Sequence, residues 1–258
     1  MVYLQFLVNL QLLLHSYILY FNLDTRKKIV LYNPITVFYD MPLALIAIGS
    51  VLDESKYNVI IIDGRIDNNA HKTVLKEVKD ALCFGVTSLT GNPIKDALSI
   101  TNKVKAQQPN LPVIWGGWHT SLFPTQTLED EKNIDISVQA QGEQTFIKLV
   151  DAIENKASFK DIKGICYRNE NKEIIRNFAR PITDMNELTQ LNYDLINVED
   201  YFKKKGSRQF DYISSTGCFF RCTFCADPQV FQRKFSAYDS TRIAKDIEYY
   251  YNKYQFTE

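Results

Sequence analysis

Strand-length and helix-length patterns alternate from Lys27 to about residue 155, and this alternation limits the fold more than any other feature of the chain. Apolar runs rich in Val and Ile stand at residues 29–32, 59–62, 82–86, 113–115 and 136–138. Turn-type residues follow: Asn33-Pro34, Asp63-Gly64, Thr90-Gly91, Gly116-Gly117 and Gln141-Gly142. Between them, residues 43–52 follow Pro42, a residue suited to a first helical turn. Residues 72–80 set Val74, Leu75 and Val78 on one face. Residues 93–107 open with Pro93 and space Ile94, Ala97, Leu98, Ile100 and Val104 helically, and residues 143–153 close the set. The pattern predicts an α/β fold, a Rossmann-like parallel sheet with helices on both faces. Such sheets bind ligands beyond the carboxyl ends of their strands, where the glycine-bearing loops sit.

Lys and Arg number 30, as do Asp and Glu, so the net charge is zero and no global field favours nucleic acid. The 45% apolar share is that of a globular chain and excludes disorder or coiled coil as the main class. Residues 1–26 form an apolar extension interrupted by Gln5, Asn9, Gln11 and His15, with no basic residue before Arg26. A signal peptide lacks its basic start here, whereas a membrane anchor and an extra amphipathic helix both stay open. Residues 164–167 and 173–176 read as a hairpin, and residues 180–197 as an extended linker. The basic run 203–208 reads as a solvated turn. His71 reads as a surface residue, and His119 as either a ligand contact or a loop cap.

Five cysteines make an odd set, unlike a secreted disulfide framework. Cys83 and Cys166 sit in apolar strands and read as small buried hydrophobes. The other three follow a short strand expected at 210–214, in Ser215-Thr-Gly-Cys-Phe-Phe-Arg-Cys-Thr-Phe-Cys225. Thiolates are soft ligands, and Cys218, Cys222 and Cys225 on one loop suit a single iron–sulfur cluster. Three ligands leave one iron open, as a catalytic metal requires. A zinc knuckle needs a fourth Cys or His at suitable spacing, and none lies near. A helix is expected over 240–254, where Ile243, Ile247, Tyr250 and Tyr254 recur at helical spacing.

This motif resembles the radical SAM signature, Cys-x3-Cys-x-aromatic-Cys, with Phe224 in the aromatic position and Gly217 before the first cysteine. The resemblance implies a [4Fe-4S] cluster on Cys218, Cys222 and Cys225, S-adenosylmethionine on the open iron, and Phe224 beside S-adenosylmethionine. The earlier runs Gly85-Val-Thr-Ser-Leu-Thr-Gly91, Val113-Ile-Trp-Gly-Gly-Trp-His119 and Gln141-Gly-Glu143 resemble the cobalamin-binding domains joined to radical SAM enzymes. Thr87-Ser88-Leu89 stands for Ser-x-Leu, and 26 residues separate Leu89 from Gly116. The implied cobalamin contacts are Thr87, Ser88, Leu89, Gly116, Gly117 and Gly142, with hydroxyls from Thr87 and Ser88 and room from the glycine pair. In Asp40-Met-Pro-Leu-Ala-Leu45, Asp40 matches the rest of that pattern, but Pro42 replaces its histidine and Leu45 its glycine. The resemblance therefore implies cobalamin held without a protein imidazole.

The expected organisation is an extension at 1–26, a cobalamin-binding α/β domain at 27–155, a hairpin and linker at 156–207, and the start of a radical SAM β/α barrel at 208–258. One β/α unit is far short of a barrel, so an N-terminal fragment of a longer enzyme is expected. The implied function is a cobalamin-dependent radical SAM enzyme, with methyl transfer to an unreactive centre among its reactions. Catalytic residues and substrate are unread. A reducing cytoplasm and an electron donor such as flavodoxin or ferredoxin are implied, with no nucleic acid and no membrane partner. Alternatives are a non-catalytic cofactor-binding or electron-transfer module, or a radical SAM enzyme that has lost cobalamin. A methylthiotransferase-like reading needs more N-terminal cysteines than Cys83 alone.

Overall fold

Side chains of successive residues in the first strand point to opposite faces, and both faces are buried. In the computed structural model, which describes residues 24–258, β1 (Lys27–Asn33) sends Val30 and Tyr32 into one core and Ile29 and Leu31 into another. Such two-sided burial is the mark of a central parallel strand. The apolar extension expected at 1–26 lies, up to residue 23, outside the described residues.

Among the described residues seven strands form one sheet. Its order is β2 (Tyr57–Asp63), β1, β3 (Ala81–Thr87), β4 (Val113–Gly116), β5 (Ile136–Val138), β6 (Ile165–Arg168), β7 (Ile174–Arg176). The first five are parallel. The expected hairpin is therefore no detached connector: β6 and β7 extend the sheet antiparallel, Ser137 facing Cys166. Helices α1 (Leu43–Ser50) and, later in the chain, α6 (Glu143–Glu154) cover one face through Leu45, Phe146, Leu149 and Val150. The other face carries α2 (Ala70–Glu77), α3 (Pro93–Gln107) and α5 (Pro124–Asp130), through Val74, Ala97, Ile100, Val104 and Leu128. Pro93 and Pro124 sit in the first turns of α3 and α5, where the missing N–H costs nothing. The one-turn α4 (Trp118–Leu122) links β4 to α5. At the centre, Trp115 buries its ring and donates Nε1–H to Thr101 Oγ1 at 3.0 Å.

Beyond residue 180 the chain departs from the sequence reading. The expected linker contains two 3-10 turns, Met185–Glu187 and Tyr193–Leu195, each capped by a side chain, Asp184 and Asn192. The basic run closes a helix, α7 (Val198–Lys205), whose Tyr201 and Phe202 are buried. Lys203, Lys204 and Lys205 sit in its last turn, where cations complement the helix dipole, and Gly206 ends it. The strand expected at 210–214 lies instead at β8 (Ser215–Gly217), paired antiparallel with β9 (Phe235–Ala237). Phe210 is drawn out of any ladder into an aromatic core with Tyr193, Tyr250 and Phe256. Between β8 and β9 come the cysteines and one turn of helix, α8 (Asp227–Val230). Helix α9 (Ser240–Tyr254) forms as expected, with Tyr250 against Tyr193. Met41 and Ile46 join this third core, which fastens the cysteine-bearing segment to the carboxyl end of the sheet.

Candidate functional site

A cleft of about 400 Å³ opens at the carboxyl ends of β3, β4 and β5. Thr87, Gly116 and Val138 form its floor, and Leu45, Ile48 and Gly142 one side. Its far side comes from distant sequence: Leu188 of the linker, Gly217 of β8, Asp227 and Phe231 at α8, and Tyr238 after β9. Trp118 meets Phe231 edge-on, ring centroids 5.9 Å apart, which closes one end. The cleft thus lies between the sheet and the cysteine-bearing segment.

The glycines do two different jobs. At Gly116 an added Cβ would meet nothing nearer than Val138 Cβ at 4.0 Å, and at Gly142 nothing nearer than Ile48 Cγ2 at 3.5 Å. Both keep space open along the cleft. Gly117 has φ +98, and a Cβ there would lie 2.8 Å from Ser88 O. Its glycine serves the turn into α4, and the backbone rather than a ligand demands it. Ser88 is buried and spends its hydroxyl on Gly116 O at 2.8 Å. Leu89 is half-exposed, and neither it nor Ser88 lines the cleft. The Ser88 O–H thus donates to the backbone, while Thr87 and Gly117 reach the cleft.

The two histidines of interest lie elsewhere. His119 sets Nδ1 3.2 Å from Thr90 Oγ1 and its ring against Phe123, off the cleft wall. His71 is half-buried rather than a free surface residue. Its Nε2 lies 2.8 Å from Asp96 Oδ1 and its Nδ1 3.0 Å from Lys103 Nζ. Asp96 also accepts the Tyr32 hydroxyl at 2.6 Å. Among the described residues lining the cleft there is no His, Lys or Arg. The surface beside Leu45 is aliphatic, which fits a corrin held without a protein imidazole. Space at Gly116 and Gly142, the Thr87 hydroxyl and apolar walls suit the nucleotide tail of such a group.

Cys218 and Cys225 are half-buried and Cys222 is exposed, all as free thiols. Cys225 N–H donates to Cys222 O at 3.1 Å, which folds the loop. Gly217, at φ +76, enters it where a Cβ would collide with Lys234 O. The sulfurs share the loop without meeting at a point: among the described residues no three Cys, His, Asp or Glu side chains are placed to hold one metal ion. Three accessible soft thiols on one loop are chemically suited to iron–sulfur ligation. Phe224 stands at the loop tip, 91% exposed and away from the cleft. Cys83 and Cys166 are fully buried, and burial pushes the Cys83 thiol up to about 12.

Sequence reasoning missed Asp227, Tyr238 and Leu188 in the cleft wall. Their approach depends on the third core and leaves no local pattern. Burial raises the carboxyl pKa of both Asp227 and Glu143, the cleft's two acids.

The B12 binding domain family matches residues 35–150. An uncharacterized methyltransferase of Pyrococcus horikoshii is 29% identical over 220 residues, 84% of this chain and 47% of that protein. An anaerobic magnesium-protoporphyrin IX monomethyl ester cyclase of Synechocystis is 26% identical over 80% of this chain and 42% of the relative. The chain thus spans about half the length of the curated relatives it matches. Among solved structures, the radical S-adenosylmethionine methyltransferase TsrM of Kitasatospora setae, with cobalamin and a [4Fe-4S] cluster, superposes at TM-score 0.71. It is 18% identical, with 88% of this chain and 46% of that one covered. The cobalamin-dependent radical enzyme OxsB, with aqua-cobalamin and S-adenosylmethionine, also reaches 0.71, at 21% identity over 86% of this chain and 31% of that one. Among the described residues no helix is long and apolar enough to cross a membrane.

Proposed function

We propose that the chain, whose residues 35–150 match the B12 binding domain family, holds cobalamin and is the cofactor-assembling part of a radical SAM enzyme that transfers a methyl group to an unreactive centre. One observation carries the reading: Gly116 at the sheet end and Gly217, the residue before Cys218, line the same cleft, so the cysteine loop springs from the cleft wall. When bound, the [4Fe-4S] cluster with S-adenosylmethionine supplies one-electron chemistry and cobalamin supplies a methyl-carrying cobalt.

The chain's own residues prepare that chemistry. Cys218, Cys222 and Cys225 are the cluster ligands. Thr87 offers a hydroxyl to the cobalamin tail, Gly116 and Gly142 leave it space, and Leu45 and Ile48 keep water from it. The expected Phe224 contact with S-adenosylmethionine belongs to this reading too, as does one-electron supply by a flavodoxin or ferredoxin. The reading keeps the expected divisions at 27–155, 156–207 and 208–258, with the hairpin of the second carried on the edge of the first's sheet.

A second reading, a cobalamin-binding module without a cluster, is favoured by the separated sulfurs. Anaerobic reconstitution with iron, sulfide and hydroxocobalamin separates the two. The enzyme reading expects about four irons and one corrinoid per chain, and a reduced-cluster EPR signal that changes on adding S-adenosylmethionine. Corrinoid without iron supports the module. An EPR signal indifferent to S-adenosylmethionine, or no retained corrinoid, overturns the enzyme reading.

A further inference from the structure

Part of the cleft's far wall is a stretch of linker tied to the sheet domain at its two ends. Met185, Leu188, Thr189 and Leu191 line the cleft. Met185 and Leu188 pack with Tyr212, Ile213, Tyr238 and Ile243, all from the cysteine-bearing segment. Polar contacts run the same way: Met185 N–H donates to Ser236 Oγ at 2.8 Å, and Asp239 N–H to Asn186 Oδ1 at 2.9 Å. Among the described residues, 184–191 makes no hydrogen bond to residues 27–155. Beyond one end of that stretch, Asn192 N–H donates to Ser50 Oγ at 2.7 Å. Beyond the other stands Gln141, itself in the cleft wall. Thr183 N–H donates to Gln141 Oε1 at 2.7 Å, and Gln141 Nε2 donates back to Thr183 O at 3.3 Å. The carboxamide thus pairs with the linker as one backbone amide pairs with another in a sheet. The turn that carries it is fixed: Ala140 sits at φ +56, where alanine is uncommon, and its N–H donates to Ser121 Oγ at 2.9 Å.

We propose that Gln141 is a positioning residue that latches the linker wall and so sets how fast a ligand enters and leaves the cleft. The inference rests on the function proposed above, in which that ligand is a corrin. A group held between the sheet side and the linker side passes while the two are parted. The Gln141–Thr183 pair breaks in that motion whether the cleft is full or empty. Weakening it therefore speeds entry and exit by the same factor and leaves the equilibrium affinity alone. Loss of a direct ligand contact does otherwise: it speeds exit alone and weakens affinity.

The test uses the 258-residue chain and two variants, Gln141→Ala and Gln141→Met. Methionine keeps the side chain's length without either hydrogen bond. Hydroxocobalamin uptake and release rates are measured by stopped-flow absorbance, and its Kd by equilibrium dialysis. Amide hydrogen exchange over residues 181–191 is read by mass spectrometry in the cofactor-free chain. Both variants are expected to take up and release the corrinoid about tenfold faster than the parent, with a parent-like Kd. Both are also expected to exchange faster over 181–191. Parent-like rates in both variants overturn the inference. So does faster release with unchanged uptake, which makes Gln141 a ligand contact instead. If Gln141→Ala does not fold, Gln141→Met decides alone. A parent that takes up no corrinoid overturns the proposed function. Hydrogen exchange over 181–191 then decides the latch by itself, which stands if the variants exchange faster and falls if they do not.

Discussion

Tyr201 donates a 2.7 Å hydrogen bond to Asp63 Oδ2 across 138 residues of sequence, joining α7 to the carboxyl end of β2. Asp63 also accepts from Asn33 Nδ2 at 3.0 Å and pairs with Arg65 at 2.7 Å, and the Asp63 and Arg65 side chains are nearly buried. Tyr201→Phe removes one donor and leaves the other two. It is expected to cost about 1–2 kcal/mol in urea unfolding. Asp63→Ala strands a buried guanidinium and is expected to cost about 3–5 kcal/mol. Equal effects of the two substitutions would contradict the shared network.

Thiol reactivity separates the five cysteines. At pH 8 iodoacetamide is expected to label Cys218, Cys222 and Cys225 in the native, cluster-free protein within minutes. Cys83, fully buried with its thiol raised to about 12, is expected to react only on unfolding. Peptide mass spectrometry reads the pattern, and early labelling of Cys83 would refute the packing around β3.

The neighbouring glycines are expected to fail differently. Gly117→Ala forces a side chain into φ +98 and against Ser88 O, at a cost of about 1–3 kcal/mol or more. Gly116→Ala meets only ordinary contact at 4.0 Å and is expected to fold nearly as well. Its added methyl narrows the cleft, so corrinoid uptake drops while the thermal midpoint holds. A large stability loss at Gly116→Ala would remove that distinction.

Glu143 lines the cleft, and burial raises its carboxyl pKa above the usual value of 4.5. For an acid with a raised folded pKa, the folded state binds protons more tightly than the unfolded one. Its ionised form therefore destabilises the cofactor-free chain above the folded pKa, and the penalty fades as pH falls through that value toward 4.5. Glu143→Gln is expected to raise the thermal midpoint at pH 8 and to have little effect at pH 4. A midpoint unchanged or lowered at pH 8 would contradict the burial.

Much of the sheet was readable because continuous apolar runs of strand length, the mark of strands buried on both faces, are a local property. Residues 29–32, 59–62 and 82–86 lie inside β1, β2 and β3, with one or two residues added at each end by ladder pairing. Helix α3 coincides with its expected span because Pro93 marks its start and its apolar spacing runs on unbroken. Helix α7 was hidden because three lysines follow Tyr201 and Phe202, and charge along the run masks a short buried face. His71 looked solvated because Asp96 and Lys103, its partners, lie 25 and 32 residues away.

The cysteine spacing and the strand–helix alternation came from sequence alone, since ligand type, spacing and apolar period are local and survive without a fold. The cleft did not. Asp227 and Gly217 come to the cleft wall because Tyr193, Phe210 and Tyr250 pack into one core, and because Lys205 and Met41 N–H both bond Asp211 Oδ2, at 2.6 and 2.7 Å. Those contacts join segments up to 170 residues apart. Only the folded chain decides which side chains share a space when the residues that bring them together are so distant.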